Sequence, residues 1–243
     1  MTEEIAASDA YAREATGTVV AVSDEGVVLD RTVFYPRGGG QPGDTGRLDW
    51  EGGSVTVTDT YKSGGTVVHV VDGDSPPPGT EVTGVIDWDR RYRLMRTHTA
   101  LHVLSAVIWS EWDAKVTGGN MEPGVARMDF ELDSMSVEFG QEVERRLNDA
   151  LAESHEVRVH FLPRAEALAD PDLIRTKVNL LPESIDPIRV IEIGTIDKQA
   201  DGGTHVANTS EVGRVAVVKT ESKGKGNKRM RIELVERPVS PRW

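Results

Sequence analysis

Residues 91–112 read RYRLMRTHTALHVLSAVIWSEW. Leu94, His98, Leu101, Ser105, Ile108 and Trp112 recur at intervals of four, three, four, three and four, which places them on one face of a helix. His98 and His102 stand four apart, so their rings project from the same side and can reach one ion without distorting the backbone. Upstream the period is two. GTVVAV, GVVLD, SVTVTDT, GTVVHVV and EVTGVID, between residues 17 and 87, are rich in β-branched residues and separated by Gly, Asp and Pro turns. They predict the short strands of a small barrel or sandwich. The period changes near Trp88, which sets an expected boundary between a β-barrel domain, 1–87, and a second domain, 88–243.

The second half mixes both periods. Val137 to Ala152 reads as a helix with Val143, Leu147, Ala150 and Leu151 as its apolar face. VRVHFLP (157–163) and IRVIEIG (188–194) alternate like strands. RVAVVKTES (214–222) and RMRIELVE (229–236) predict a hairpin around Gly224–Asn227. The fold class expected is α+β: an N-terminal small β-barrel, then a domain with a long metal-binding helix and a mostly antiparallel sheet. The first dozen residues and the tail PVSPRW (238–243) are expected to fray.

Composition narrows the chemistry. The chain of 243 residues has no cysteine, which excludes disulfides and thiol catalysis and leaves histidine and carboxylate as metal ligands. No apolar run approaches membrane-spanning length, and MTEEIAASDAYAREATG has neither a basic start nor an apolar stretch, so a cytoplasmic protein is expected. The net charge is −12, but Lys219–Arg231, KTESKGKGNKRMR, carries six basic residues and one acid. Arg90, Arg91, Arg93 and Arg96 form a second basic cluster just before the histidine pair. Two basic patches on an acidic body suit a polyanion held at one face; a solvated hairpin and a solvated helix start explain them equally well.

Asp201–Gly202–Gly203–Thr204–His205 sets two more donors four residues apart. The glycines permit a tight turn that aims Asp201 and His205 at one point. Three imidazoles and a carboxylate are the ligand types and number that zinc takes in a tetrahedral site. Thr99 follows His98 where a zincin protease needs its glutamate base, which argues against peptidase chemistry. The alternative is a pair of packed histidines and an ordinary Asp-Gly turn. A third stretch, Phe34-Tyr35-Pro36-Arg37-Gly38-Gly39-Gly40-Gln41-Pro42-Gly43-Asp44, lacks the Gly-Lys-Ser/Thr of a P-loop. Its spacing suits a flexible hairpin loop better than a ligand site.

Taken together, FYPRGGGQPGDTG (34–46), RTHTALHVLSA (96–106), GGTHVANTSEVG (202–213) and ESKGKGNKRMRIEL (221–234) resemble the editing half of alanyl-tRNA synthetases and the freestanding AlaX proteins, of medium length here. The likeness runs from about residue 16 to 236. It implies a trans-editing hydrolase that removes a wrong amino acid, chiefly serine and secondarily glycine, from tRNA(Ala). It also implies one zinc ion per chain on His98, His102 and His205. Asp201 stands where the family pattern has Cys, which leaves the fourth ligand open. Gln41 is expected beside the acylated adenosine. Thr99 and Thr204 are candidate pocket hydroxyls, with a structural role weighed equally. Arg90, Arg91, Lys219, Lys223, Lys225, Lys228, Arg229 and Arg231 are the expected tRNA phosphate contacts. Two other readings compete: a metal hydrolase of small esters or amides, and an RNA-binding module with a structural metal.

Overall fold

The computed structural model describes residues 1–170, 173 and 185–235. Its residues group into two compact units, Met1–Met95 with Gly202–His205, and Arg96–Asp201 with Val206–Trp243. The α+β class expected from the sequence is what the chain adopts.

In the first unit, β1 (Glu3–Glu4) pairs in parallel with β4 (Arg31–Thr32). Six strands close a barrel: β2 (Glu14–Ser23), β3 (Gly26–Leu29), β5 (Gly46–Trp50), β6 (Gly53–Ser63), β7 (Thr66–Asp72) and β8 (Glu81–Ile86), in the order β2-β3-β7-β6-β5-β8. Alternation in β8, where Val82, Gly84 and Ile86 point inward, supplies part of a core with Val19, Val27, Leu29, Phe34, Leu48 and Val57. β5, sequence GRLDW, has few β-branched residues and gave no strand signal; its pairing with β6 and β8 decides its state. The N-terminus does not fray as expected. Thr2 Oγ1 donates to the Leu29 carbonyl at 2.9 Å, and β1 adds its own ladder.

His69 on β7 is fully buried, bonded through Nε2 to Thr32 Oγ1 at 2.8 Å and through Nδ1 to the Val27 carbonyl at 3.0 Å. Burial pushes its pKa down to about 4, against the upward pull of the Val27 bond. An unfolded histidine titrates near 6.5, so between those values the unfolded chain binds more protons. Stability from this residue is therefore full above about pH 6.5 and falls by up to roughly 3 kcal/mol as the pH drops to about 4. The stability gap between the wild-type chain and His69→Gln, from urea midpoints at pH 7 and 5, should narrow on acidification. A gap that stays constant would contradict it.

Helix α1 (Trp88–Trp112) matches the helical reading and starts three residues before it. The single apolar face does not hold. Thr97 to Ala106 are buried without interruption, so this stretch is enclosed all round and polar side chains sit in the interior. The second unit has a four-stranded antiparallel sheet, β14-β15-β10-β9, from β9 (Val116–Glu122), β10 (Val125–Phe130), β14 (Arg214–Ser222) and β15 (Lys228–Val235). The expected hairpin is β14–β15. Helix α2 (Val137–Ala152) begins at Ser136, whose Oγ accepts from Phe139 N, and buries Gly140, Val143, Leu147 and Leu151. Gly140 leaves room for Thr220; a Cβ there would lie 2.9 Å from its methyl. Asn148 on α2 donates to the Val215 carbonyl and accepts from Val215 N, satisfying the β14 edge.

A second, three-stranded sheet has the order β11-β12-β13, from β11 (Val157–Leu162), β12 (Ile188–Ile193) and β13 (Asp197–Ala200). Between β11 and β12, α3 (Arg164–Ala169) is a short helix that the sequence reading did not anticipate. The expected frayed tail 238–243 lies outside the described residues. No described helix is long and apolar enough to cross a membrane.

Candidate metal centre

The middle of α1 presents His98 and His102, with ring centroids 5.2 Å apart. β13 ends at Ala200, and the next residue is Asp201. Its backbone is fixed by Arg189 on β12: Arg189 Nη1 donates to the Asp201 carbonyl at 2.9 Å, and Asp201 N donates to the Arg189 carbonyl at 3.2 Å. The Asp201 carboxylate is thereby turned toward the helix, with Oδ1 3.5 Å from His98 Nε2 and 4.0 Å from His102 Nε2. His205, four residues on, is 4% exposed. His98, His102, Asp201 and His205 each offer a ligand atom, and these four atoms all lie within 4.8 Å of one another.

These residues fit a metal ion. Zinc bonds to imidazole nitrogen and carboxylate oxygen at about 2.0–2.2 Å, so neighbouring ligands of a tetrahedral ion stand about 3.3–3.5 Å apart. The observed spacings need only small side-chain adjustments to meet that. The protonation state fits as well. Burial drives the His98 pKa down to about 4, outweighing the upward pull of Asp201, with His102 and Arg189 lowering it further. At neutral pH His98 is an uncharged imidazole with a lone pair to give.

The loop that follows is pinned on both sides. Val206 N donates to Thr99 Oγ1 at 3.3 Å, and Val157 N donates to the Ala207 carbonyl at 2.8 Å. Asn208 then caps a 3-10 turn, Thr209–Glu211, in a capping box with Glu211.

In the first unit, Gly38–Gln41 is an ordered turn and not the flexible loop that spacing favoured. Gly38 and Gln41 exchange both backbone bonds, at 3.1 and 2.9 Å. Gly39 and Gly40 have φ of 58° and 84°, a left-handed pair that glycine adopts without strain. The turn delivers Gln41 into the interior, 2% exposed. Its Nε2 donates to Thr204 Oγ1 at 2.9 Å, and its Oε1 accepts from Thr204 N at 3.0 Å. Gln41 thus holds the residue next to His205. Thr99 and Thr204 both accept structural hydrogen bonds.

Arg91 corrects an expectation. It is fully buried, its guanidinium ion-paired with Asp44 and donating to the Ala10 and Val33 carbonyls, each at 2.9 Å. It is a structural residue and has no surface to offer a phosphate. Arg90, three residues after Asp87, donates its backbone N to Asp87 Oδ1. In the hairpin, Lys228 is also buried, with Nζ donating to the Gly224 carbonyl at 3.0 Å, so it braces the turn. Arg229 is held by Asp129 and Arg231 by Glu221, and Lys219 lies 3.0 Å from Glu221. Lys223 and Lys225 are exposed at the turn itself. The residues that spacing did not reveal are Asp197, Gln199 and Arg189; strands β12 and β13 bring them to the ligands, and nothing in their local sequence marks them.

Family models of class II (A) tRNA synthetases and of the threonyl and alanyl tRNA synthetase second additional domain match residues 4–90 and 188–231. An alanyl-tRNA editing protein AlaX-M from Saccharolobus solfataricus is 40% identical over 95% of this chain and 98% of its own. The chain belongs to the AlaX family. A second AlaX-M protein, from Methanosarcina barkeri, is 40% identical over 97% of this chain and 100% of its own. An alanine–tRNA ligase of Pyrobaculum arsenaticum is 39% identical over 90% of this AlaX chain, which corresponds to 25% of the ligase.

Proposed function

We propose that this AlaX protein is a trans-editing hydrolase that cleaves the ester between a wrong amino acid and tRNA(Ala), chiefly serine and secondarily glycine. The observation that carries the reading is the set of four donors, His98, His102, Asp201 and His205, within 4.8 Å, in a chain that matches an AlaX-M protein over 95% of its length. A zinc ion bound there would act as a Lewis acid or lower the pKa of a bound water to about 7.

The chain's own residues do the rest. An aminoacyl ester is already activated, so hydrolysis needs a positioned water and stabilisation of the developing oxyanion. His98 is uncharged at neutral pH, and its Nε2 lies 3.5 Å from Asp201 Oδ1, so the two can share one ion. Gln41 fixes Thr204 through two hydrogen bonds, and with it the approach of the neighbouring His205. Thr99 holds Val206 on the other side. A site that bonds the serine hydroxyl would reject alanine, which lacks it, by about 10⁴–10⁵-fold. Exposed Lys223 and Lys225, assisted by Arg90, Lys219, Arg229 and Arg231, contact tRNA phosphates.

The test is release of amino acid from tRNA(Ala) charged with serine, glycine or alanine, with and without a chelator. Serine should leave fastest, alanine should stay, and chelation should stop the reaction. Equal rates on free aminoacyl esters would favour a small-ester hydrolase; no release from any tRNA would favour an RNA-binding module with a structural metal. Lys223→Ala with Lys225→Ala should raise KM, leave zinc content unchanged and reduce the salt slope of binding by about two. Unaltered tRNA affinity would discard the hairpin assignment.

A further inference from the structure

The structure assigns Asp197 the role of positioning residue for the His102 ligand, with Gln199 holding Asp197 in turn. The inference rests on the metal reading above. Asp197 is the first residue of β13, and its side chain is wholly buried although charged residues rarely are. Its Oδ2 lies 3.0 Å from His102 Nδ1. A carboxylate only accepts, so this bond places the imidazole proton on Nδ1 and makes Nε2 the nitrogen that carries the lone pair. Nε2 is the nitrogen that faces Asp201, at 4.0 Å. The bond therefore fixes both the tautomer and the plane of the ring as a metal ligand requires.

Gln199 supplies the next layer. Its Nε2 donates to both Asp197 oxygens, each at 3.0 Å, which limits rotation of the carboxylate about its own axis. The order Asp197-Lys198-Gln199 on a strand puts the two side chains on the same face, so they meet through the pleat. α1 supplies the histidine, and one edge strand supplies its orienter and that orienter's clamp. His98, by contrast, meets its ligand neighbour Asp201 directly through Nε2, at 3.5 Å.

Zinc affinity, measured by competition with a chromophoric chelator, tests this without reference to catalysis. Asp197→Ala should weaken zinc roughly 10–100-fold, the range for loss of a partner behind a metal-bound histidine. Asp197→Asn keeps the shape and one acceptor but not the charge, and should fall between wild type and Asp197→Ala. Gln199→Ala should weaken binding less than Asp197→Ala. Thermal unfolding of the metal-free forms separates this from a merely structural role: a lowered Tm with zinc affinity within twofold of wild type would overturn the inference. If Asp197→Ala does not fold, Asp197→Asn and Gln199→Ala carry the same test. Wild-type protein that binds no zinc would overturn the metal reading and this inference together, whereas tight wild-type binding that all three variants retain would overturn this inference alone.

Discussion

Replacing His98 or His205 with alanine is expected to cut release of serine from seryl-tRNA(Ala) by about a thousandfold. Each change removes one of four donors that lie within 4.8 Å of one another. A Lewis acid contributes several kcal/mol to a charged transition state, and a loss of about 4 kcal/mol is about a thousandfold in rate. The loss should appear in kcat more than in KM, because the exposed lysines proposed above as tRNA contacts are untouched. Single-turnover deacylation at saturating enzyme reads this directly. Full activity in either variant would refute the shared site. Circular dichroism should show both variants folded, since the change shortens a side chain on a helix or loop that is held by other bonds, such as Val206 to Thr99.

The second large effect is on stability. Arg91→Ala should destabilise the chain by about 3–5 kcal/mol, because it leaves the Asp44 carboxylate buried without its cation. Asp44 is 1% exposed and also accepts from Tyr35 N at 2.6 Å. The Ala10 and Val33 carbonyls would lose their donor in the same step. Arg91→Leu combined with Asp44→Asn should recover part of the loss, since removing both charges costs less than stranding one. Urea unfolding of these two variants beside the wild-type chain measures this. A loss under about 1 kcal/mol in Arg91→Ala would mean that the pair behaves like one at the surface.

Much of the architecture was legible because burial repeats along the chain. Leu94, Leu101 and Ile108 carry the period of α1, the β-branched runs mark the barrel, and Val143, Leu147 and Leu151 mark α2. β9, with Gly118 and Gly119 inside it, and β13, with the polar sequence DKQA, carry no such period. Their partners decide their state, and a partner far along the chain leaves no local trace. The clustering of His98, His102, Asp201 and His205 was legible through their spacing of four, which a helix and a glycine turn both turn into proximity.

The companions of those four donors were not legible. Gln41 meets Thr204 across 163 residues, and Asp197 meets His102 across 95. Charge was misread for the same reason. Arg91 belongs to a run of arginines that looks like a surface patch, yet its counter-ion is Asp44, at the end of the GGGQ segment. In the hairpin, the six bases of the sequence are partly cancelled in space by Glu221 within the segment and by Asp129 outside it, and the exposed lysines at the turn are Lys223 and Lys225. Residue type gives the sign of a charge; only the fold says whether it faces water.

The most direct measurement is the metal content of purified protein, after reconstitution with zinc and removal of excess, for the wild-type chain and for His98→Ala combined with His205→Ala. One zinc per wild-type chain and none in the double variant is the expected result. Equal zinc in both, or none in the wild type, would contradict a single ion held by His98, His102, Asp201 and His205.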